Sequence, residues 1–175
     1  FNSWKAFEII TERDNPTGSW ALPDDFDGAG AWLVDSNTLR VVVNHENEGS
    51  TISEVNIDFA NFKKAIANTI ATGRPNVNFV QGARQAYDRW SNDLGETLRE
   101  TSGPSDTDFV KFCSGQAYEP HTFGRNRGFV DHCYITGEEE VGGRLFVIDL
   151  STKVLYQLSG AVGNAPQCRQ WWDAF

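Results

Sequence analysis

Two segments of the chain share a strand, an aspartate turn and a second strand, and this repeated unit constrains the fold more than any other feature. The first reads GAGAWLVDSNTLRVVVNHE and the second reads GGRLFVIDLSTKVLYQL. Aligning Asp35 with Asp149 also aligns Thr38 with Thr152. Side chains that alternate with a period of two on either side of a turn are typical of β-hairpins. The sequence therefore predicts a mainly β fold.

Strand–turn–strand units of this kind are also found in the blades of β-propellers, which usually recur every ~40–50 residues. We interpret the hairpins near 29–58 and 128–159 as partial, propeller-like blades of antiparallel strands with inserted α-helices. Residues 1–175 are enough for only two or three blades. We therefore expect either a single domain or a fragment of a larger propeller, which further residues or chains would complete. The terminal Trp171 and Trp172 would dock on those partners, because two exposed indoles would leave an apolar patch.

The helical insertion is predicted near 58–100. Its first helix starts at a cap, Asp58 or Asn61, and stops at Gly73. Two sets of apolar residues recur at helical spacing. They are Phe62, Ala65, Ile66 and Ile70 in the first helix, and Ala83, Tyr87, Trp90, Leu94 and Leu98 in the second.

The charge and the hydropathy pattern limit the partners. The chain has 24 acidic and 15 basic residues, a net charge of −9, so its average surface repels phosphate backbones and makes nucleic acid an unfavourable partner. No run approaches the ~20 apolar residues of a membrane-spanning helix, so no membrane span is expected. Three cysteines, Cys113, Cys133 and Cys168, leave the disulfide pattern open.

Three short motifs place polar side chains at the ends of predicted strands. They are Asn44-His45-Glu46, Phe112-Cys113-Ser114 and the acidic run Glu138 to Glu140 with its preceding Thr136-Gly137. Adjacent carboxylates are favourable only when they are solvated or neutralised by a cation or a basic partner. The acidic run therefore indicates either a charged surface turn or a cation site. His45 and Cys113 can likewise be ordinary packed residues.

The order of these motifs resembles that of the PhoX-like group of phosphatase-related β-propellers. Members of that group commonly have Asn-His-Glu in an early blade, Cys-Ser before an aromatic-rich loop, and Gly-Glu-Glu in the next strand pair. Here the same elements are Asn44-His45-Glu46, Cys113-Ser114 and Gly137-Glu138-Glu139. The resemblance extends from Ala29 to about Leu158.

The resemblance implies a propeller whose central channel holds calcium and, in one type, iron. Carried over residue by residue, it makes Glu46, Glu138 and Glu139 candidate carboxylate ligands and Cys113 a candidate thiolate ligand. Hard Ca²⁺ prefers oxygen ligands, whereas a thiolate suits a transition metal. Asn44, His45 and Arg144 are candidates for substrate binding, although Arg144 can instead pair with the acidic run.

The function expected from the resemblance is metal-dependent phosphoester hydrolysis, with this chain supplying part of the metal site. Activity would require the rest of the propeller, because two or three blades cannot enclose a central channel. The alternative is a noncatalytic, propeller-derived module that serves as an assembly component of a larger complex. An extracellular, periplasmic or organelle-lumen location follows from the resemblance alone.

Overall fold

A computed structural model describes residues 6, 8–92, 97–101, 108–140 and 142–159. The first half of this part contains β1 (Phe26–Leu33), β2 (Thr38–His45), β3 (Thr51–Asp58), α1 (Phe59–Thr72), β4 (Val80–Gln85), β5 (Arg89–Asn92) and β6 (Thr97–Glu100). The second half contains β7 (Phe112–Tyr118), β8 (Cys133–Glu138), β9 (Leu145–Asp149) and β10 (Val154–Ser159). The prediction of a mainly β fold is confirmed.

The strands form two sheets. The first sheet has the order β1-β2-β3-β4, and the second has the order β6-β5-β10-β9-β8-β7. Neighbouring strands are antiparallel except for β5 and β10, which run parallel. Each sheet therefore contains a run of four consecutive antiparallel strands, β1–β4 in the first and β7–β10 in the second. The described residues show no closed barrel or ring.

The two sheets pack face to face around one apolar core. Val42 and Ile52 from the first sheet belong to the same buried cluster as Phe112, Tyr134 and Phe146 from the second. The opposite face of the first sheet packs on α1 and on the chain before β1, in a second cluster that contains Leu22, Ile57, Ala65 and Phe79. The first sheet is consequently the middle of three layers, and its central strands β2 and β3 are largely buried, whereas alternate residues of β1 stay exposed.

Close approach of the sheets is greatest where β1 lies against β7. A Cβ atom on Gly28 would lie 2.3 Å from the carbonyl oxygen of Cys113 and 2.3 Å from the amide nitrogen of Gly115. A Cβ atom on Gly115 would lie 1.8 Å from the hydroxyl oxygen of Tyr134. Only glycine fits at these two positions, because the backbone of β7 occupies the space of a Cβ atom at Gly28 and the Tyr134 side chain occupies it at Gly115.

The predicted helix at the start of the insertion is confirmed as α1. Asp58 is the N-cap, and its side chain accepts a hydrogen bond of 2.9 Å from the Asn61 backbone amide. Gly73 ends the helix in the left-handed conformation, with φ of 78°. The predicted apolar face is only partly correct, since Ala65 is buried while Ile66 and Ile70 are exposed.

The second predicted helix is wrong, because the described residues of this segment form β4, β5 and β6 instead. The helical spacing does not correspond to one face, because Ala83 of β4 packs in the cluster against α1, whereas Tyr87, between β4 and β5, packs in the cluster between the two sheets. The deciding factor is backbone pairing, since β4 hydrogen-bonds to β3 while β5 hydrogen-bonds to β10. Gly82 also disfavours a helix. Leu94 lies outside the described residues.

The aligned aspartates form the same turn in the two sheets. The Asp35 carboxylate accepts hydrogen bonds from the backbone amides of Asn37 and Thr38, at 2.7 and 2.9 Å. The Asp149 carboxylate accepts from the amides of Ser151 and Thr152, at 2.9 and 3.3 Å. The repeated motif therefore encodes an Asx turn. The two turns occupy different places in the fold, since the first joins β1 to β2 in one sheet and the second joins β9 to β10 in the other.

Two further findings concern the predicted partners. No helix in the described ranges has the length and apolar character needed to cross a bilayer. Trp171 and Trp172, which were predicted to dock on a partner, lie outside the described residues.

Candidate functional site

Carboxyl groups from both sheets meet where the ends of β2 and β8 approach the start of β1 and β7. The carboxyl group of Glu46 hydrogen-bonds to those of Glu139 and Asp27. The Cys113 thiol lies 3.9 Å from the Ser114 hydroxyl and is near enough to Asp27 for that carboxylate to raise its pKa. We call Asp27, Glu46 and Glu139 the acidic cluster. It joins the two sheets at one edge of the sandwich.

Backbone hydrogen bonds fix the segments that carry the cluster. The amide of Glu46 donates to the carbonyl of Asp25 at 2.8 Å, and the amide of Glu139 donates to the carbonyl of Lys111 at 2.9 Å. An antiparallel bridge between Glu48 and Val110 ties the segment after β2 to the segment before β7. The carboxyl groups are thus held together by paired backbone and not by long flexible loops.

The acidic cluster favours a bound proton. Hydrogen bonding to Glu139 and to Asp27, followed by burial and the charges of both neighbours, raises the pKa of Glu46 to about 7. Two carboxyl groups can share a hydrogen bond only when one of them is protonated. Glu46 therefore keeps its proton to a higher pH than an isolated glutamate does, and a cation would relieve the same repulsion.

Cys113 lies beside the cluster as a thiol. Burial, together with the neighbouring carboxylates of Asp27 and Glu139, raises the pKa of Cys113 to about 12. The thiolate is the form that binds metals and attacks electrophiles. Without a metal Cys113 is therefore a thiol, and binding a metal through its sulfur would require the loss of that proton.

Glu138 and Arg144 form a buried ion pair apart from the acidic cluster. The guanidinium of Arg144 donates to both carboxylate oxygens of Glu138, with Nε at 2.8 Å from Oε2. The same carboxylate also accepts from the backbone amides of Val110, at 3.2 Å, and of Arg144, at 3.0 Å. The guanidinium additionally lies over the rings of Phe109 and Phe146. Of the two adjacent glutamates predicted as ligands, only Glu139 reaches Glu46.

Asn44 links the two sheets. Its amide nitrogen donates to Thr136 Oγ1 at 2.8 Å and to the carbonyl oxygens of Cys113 and Ser114. Its amide oxygen accepts from the hydroxyl of Tyr134, which also contacts the carbonyl oxygen of Gly28 at 2.9 Å. Asn44 is fully buried, and the protein itself uses its hydrogen-bonding capacity. The predicted substrate-binding residue therefore holds the strands beneath the acidic cluster.

His45 lies on the opposite face of the first sheet, towards the chain before β1. Its Nδ1 is 3.1 Å from the Asp24 carbonyl oxygen, which can only accept, so Nδ1 carries the proton. Its Nε2 is 2.7 Å from the hydroxyl of Ser53, which accepts a hydrogen bond from the indole of Trp20 at 3.0 Å and donates to Nε2. Burial lowers the pKa of His45 to about 4, although backbone hydrogen bonds oppose this. His45 is therefore a neutral packing residue.

The structure thus brings together Glu46, Glu139 and Cys113 from the predicted site, and it sends Glu138, His45 and Arg144 elsewhere. Sequence reasoning missed Asp27. The signal was the acidic run Asp24-Asp25 and Asp27 immediately before the first predicted strand, which places a carboxylate at the start of the strand paired with β2.

The donor types of the acidic cluster suit a hard cation, since calcium takes carboxylate oxygens. The geometry of the acidic cluster is not that of a calcium site, however, because the carboxyl groups contact one another and do not surround a position for an ion. Among the described residues, no group of three or more His, Cys, Asp or Glu side chains is arranged to hold a metal ion. Three of the four residues, Asp27, Glu46 and Glu139, carry the carboxylate oxygens that calcium takes.

Comparison with known proteins found no matching family model, no matching curated protein and no matching solved structure.

Proposed function

We propose that this chain binds a divalent cation, calcium, through Glu46, Glu139 and Asp27, and that it supplies this site to a metal-dependent phosphoester hydrolase of the PhoX-like type. The observation that carries the proposal is the hydrogen bond between Glu46 and Glu139, which joins carboxyl groups from two different sheets. Repulsion between such groups is relieved by a proton or by a cation. Calcium and the proton therefore compete for one position.

The architecture supports this proposal. The strands β1–β4 and β7–β10 form two four-stranded antiparallel runs whose first strands, β1 and β7, lie side by side. Neighbouring propeller blades place their first strands next to each other around the central channel. On this interpretation the acidic cluster would face the channel of a propeller that other residues complete.

The roles of the chain's own groups follow from the geometry. Glu46 would release its proton when the cation binds, because the cation stabilises the carboxylate form. Asn44 and Tyr134 would hold the ends of β2, β7 and β8 in place beneath it. Bound calcium would supply positive charge that attracts a phosphate group and lowers the pKa of water.

Calcium titration tests the cation site. We expect wild-type protein to bind calcium at pH 8 and to release protons as it does so, with weaker binding at pH 5.5. Glu46→Gln and Glu139→Gln should each weaken binding at least about tenfold, the loss of one charged ligand. Glu140→Gln removes an exposed carboxylate outside the cluster and serves as the matched control. Unchanged calcium affinity in both cluster variants would refute the site.

The enzymatic part of the proposal needs the native, complete assembly. Hydrolysis of p-nitrophenyl phosphate should require calcium, stop after chelation and fall in Glu46→Gln. Calcium binding without turnover would retain the site and reject the hydrolase.

The second candidate function is the noncatalytic assembly module. It is favoured by apolar side chains exposed in the connection between β7 and β8, where Phe123 is 62% and Val130 is 75% exposed. Such residues are common at protein–protein contacts. A chain that neither binds calcium nor supports turnover, but associates through this connection, would have this function.

A further inference from the structure

Three basic side chains converge on one carboxylate between the two sheets. Glu54 on β3 is fully buried. The Nε atoms of Arg40 on β2 and Arg84 on β4 lie 3.3 and 3.2 Å from Glu54 Oε1. The ammonium group of Lys153, from the turn between β9 and β10, pairs with Oε2 of the same carboxylate. We call Arg40, Arg84 and Lys153 the cationic cluster.

The cationic cluster carries more positive charge than the protein around it neutralises. Three cations face one carboxylate, although the whole chain has a net charge of −9. In the described ranges, Glu54 is the carboxylate that pairs with all three, and none of them pairs with another. Burial lowers the pKa of Lys153, and repulsion from Arg84 and Arg40 adds to this effect while Glu54 opposes it.

The two guanidinium groups leave donors unused. Arg40 and Arg84 both direct Nε to Glu54, and Arg40 Nε also donates to Asn56 Oδ1 at 3.0 Å. Within the described part of the chain, no acceptor bonds to the terminal Nη groups of either arginine. Guanidinium donors in a fixed fork match the oxygen atoms of phosphate.

Exposure shows how a ligand would enter. The side chains of Arg40 and Lys153 are 17% and 14% exposed, whereas that of Arg84 is 53% exposed. Arg40 and Lys153 therefore form the floor of the site, held in place by Glu54. Arg84 lies at its opening to solvent.

We propose that the cationic cluster binds a small phosphate-type dianion, either inorganic phosphate or a phosphate monoester. A dianion would bring the charge of the three basic residues and Glu54 to zero, and its oxygen atoms would accept from the unused Nη groups. The site is distinct from the acidic cluster. Arg40 and Glu46 are six residues apart along β2 and its end, a distance of roughly 20 Å.

Calorimetric titration with inorganic phosphate in the presence of EDTA tests the proposal, since EDTA removes phosphate binding that depends on a cation. We expect saturable binding to the wild-type chain and at least about tenfold weaker binding to Arg84→Gln, which loses a charged donor at the opening. Arg74→Gln removes an exposed arginine outside the cluster and should bind as the wild type does.

Two further variants keep the result interpretable. If Arg84→Gln is not folded by circular dichroism, Arg84→Lys retains the charge but lacks the fork, and it should still weaken binding. Glu46→Gln should leave phosphate binding unchanged, because this inference does not rest on the acidic cluster.

Absence of saturable phosphate binding in the wild type, or equal affinity in wild type and the Arg84 variant, would overturn the proposal. A loss of binding in Glu46→Gln would move the phosphate to the acidic cluster and overturn it as well. Titration with glycerol 2-phosphate then distinguishes the two ligands, since tighter binding of the ester assigns the site to a monoester and tighter binding of inorganic phosphate to the free anion.

Discussion

The carboxyl group of Glu46, at the end of β2, is hydrogen-bonded to the carboxyl group of Glu139, at the end of β8. One residue belongs to the first sheet and the other to the second. Their contact makes the protonation state of a single carboxyl group sensitive to how the two sheets are packed. It also means that a change at Glu46 reports on both sheets.

The contact predicts how stability depends on pH. The pKa of Glu46 is raised from 4.5 to about 7, so the folded chain keeps this proton to a higher pH than the unfolded chain. The contribution of the proton is complete below about 4.5 and is lost as the pH rises through 7. The side chain introduced by Glu46→Gln cannot ionise, and its amide group donates a hydrogen bond to a neighbouring carboxylate.

We therefore expect Glu46→Gln to raise the midpoint of thermal unfolding at pH 8 in EDTA and to have little effect at pH 4.5. Glu140→Gln should show no such pH-dependent gain. An equal effect of Glu46→Gln at both pH values would contradict the raised pKa.

We expect the titration of His45 to make the stability depend on pH in the opposite direction. Its pKa falls from 6.5 to about 4 in the folded protein, so the unfolded chain binds this proton more tightly. Stability is retained above about pH 6.5 and declines as the pH falls towards 4, by at most about 3 kcal/mol.

Urea unfolding at pH 7.5 and 4.5 measures this loss, with Glu46→Gln as the background so that the two titrations do not offset each other. His45→Gln removes the titration and should reduce the difference between the two pH values. His121→Gln, at an exposed histidine, should leave the difference intact. A wild-type-like difference in His45→Gln would assign the loss to other groups.

We expect a substitution at Gly115 to cause a steric clash with Tyr134, close to where the two sheets meet. An alanine Cβ at this position would lie 1.8 Å from the hydroxyl of Tyr134, which belongs to the hydrogen-bonded link with Asn44. Gly115→Ala should lower the free energy of unfolding by about 1–3 kcal/mol or more. At Gly137, on the neighbouring strand, the nearest atom would lie 3.7 Å away.

Gly137→Ala should therefore be neutral or slightly stabilising, because it adds no clash and restricts the unfolded chain. Denaturant unfolding of both variants gives the comparison. Similar free energies for the two would show that the Tyr134 side chain moves aside without cost, and would contradict the predicted clash.

We expect the thiol of Cys113 to be unreactive. Its pKa is raised to about 12 by burial and by Asp27, so only a small fraction is thiolate at pH 8. In a chain with Cys133→Ser and Cys168→Ser, iodoacetamide should modify Cys113 at least about 100-fold more slowly than it modifies glutathione. Asp27→Asn removes the neighbouring charge and should speed the reaction, and unfolding in urea should restore the ordinary rate. A rapid reaction of the folded chain would contradict the raised pKa.

Local signals in the sequence were sufficient to predict the two aspartate turns and the helix α1. Asp35 and Asp149 form the predicted turns because an aspartate side chain bonds to amides two and three residues ahead, whatever the rest of the fold. The cap at Asp58 and the stop at Gly73 are local in the same sense. The segments β4 and β5 are strands because β3 and β10 offer backbone partners, and that information is distant in the sequence.

The residues of the candidate site likewise divide into those that local motifs identify and those that only the folded chain brings together. The motifs identified Glu46, Glu139 and Cys113, which do converge, but they did not separate Glu139 from its neighbour. Adjacent residues at a strand end point in opposite directions, and the burial of Arg144 near Phe146 decides which glutamate pairs with it. Asp27 was missed because its contact depends on β1 and β7 lying together. Arg40, Arg84 and Lys153 share no sequence motif, so only the packed sheets reveal them.

The link between Tyr134 and Gly28 spans 106 residues of chain. While the polypeptide is being synthesised, the segment with Asp27 and Glu46 leaves the ribosome well before the segment with Glu139, and contacts between such distant segments form late. The early carboxylates thus stay hydrated and without Glu139 until the second sheet arrives. Cation affinity, once measured, would consequently serve as a reporter of completed folding.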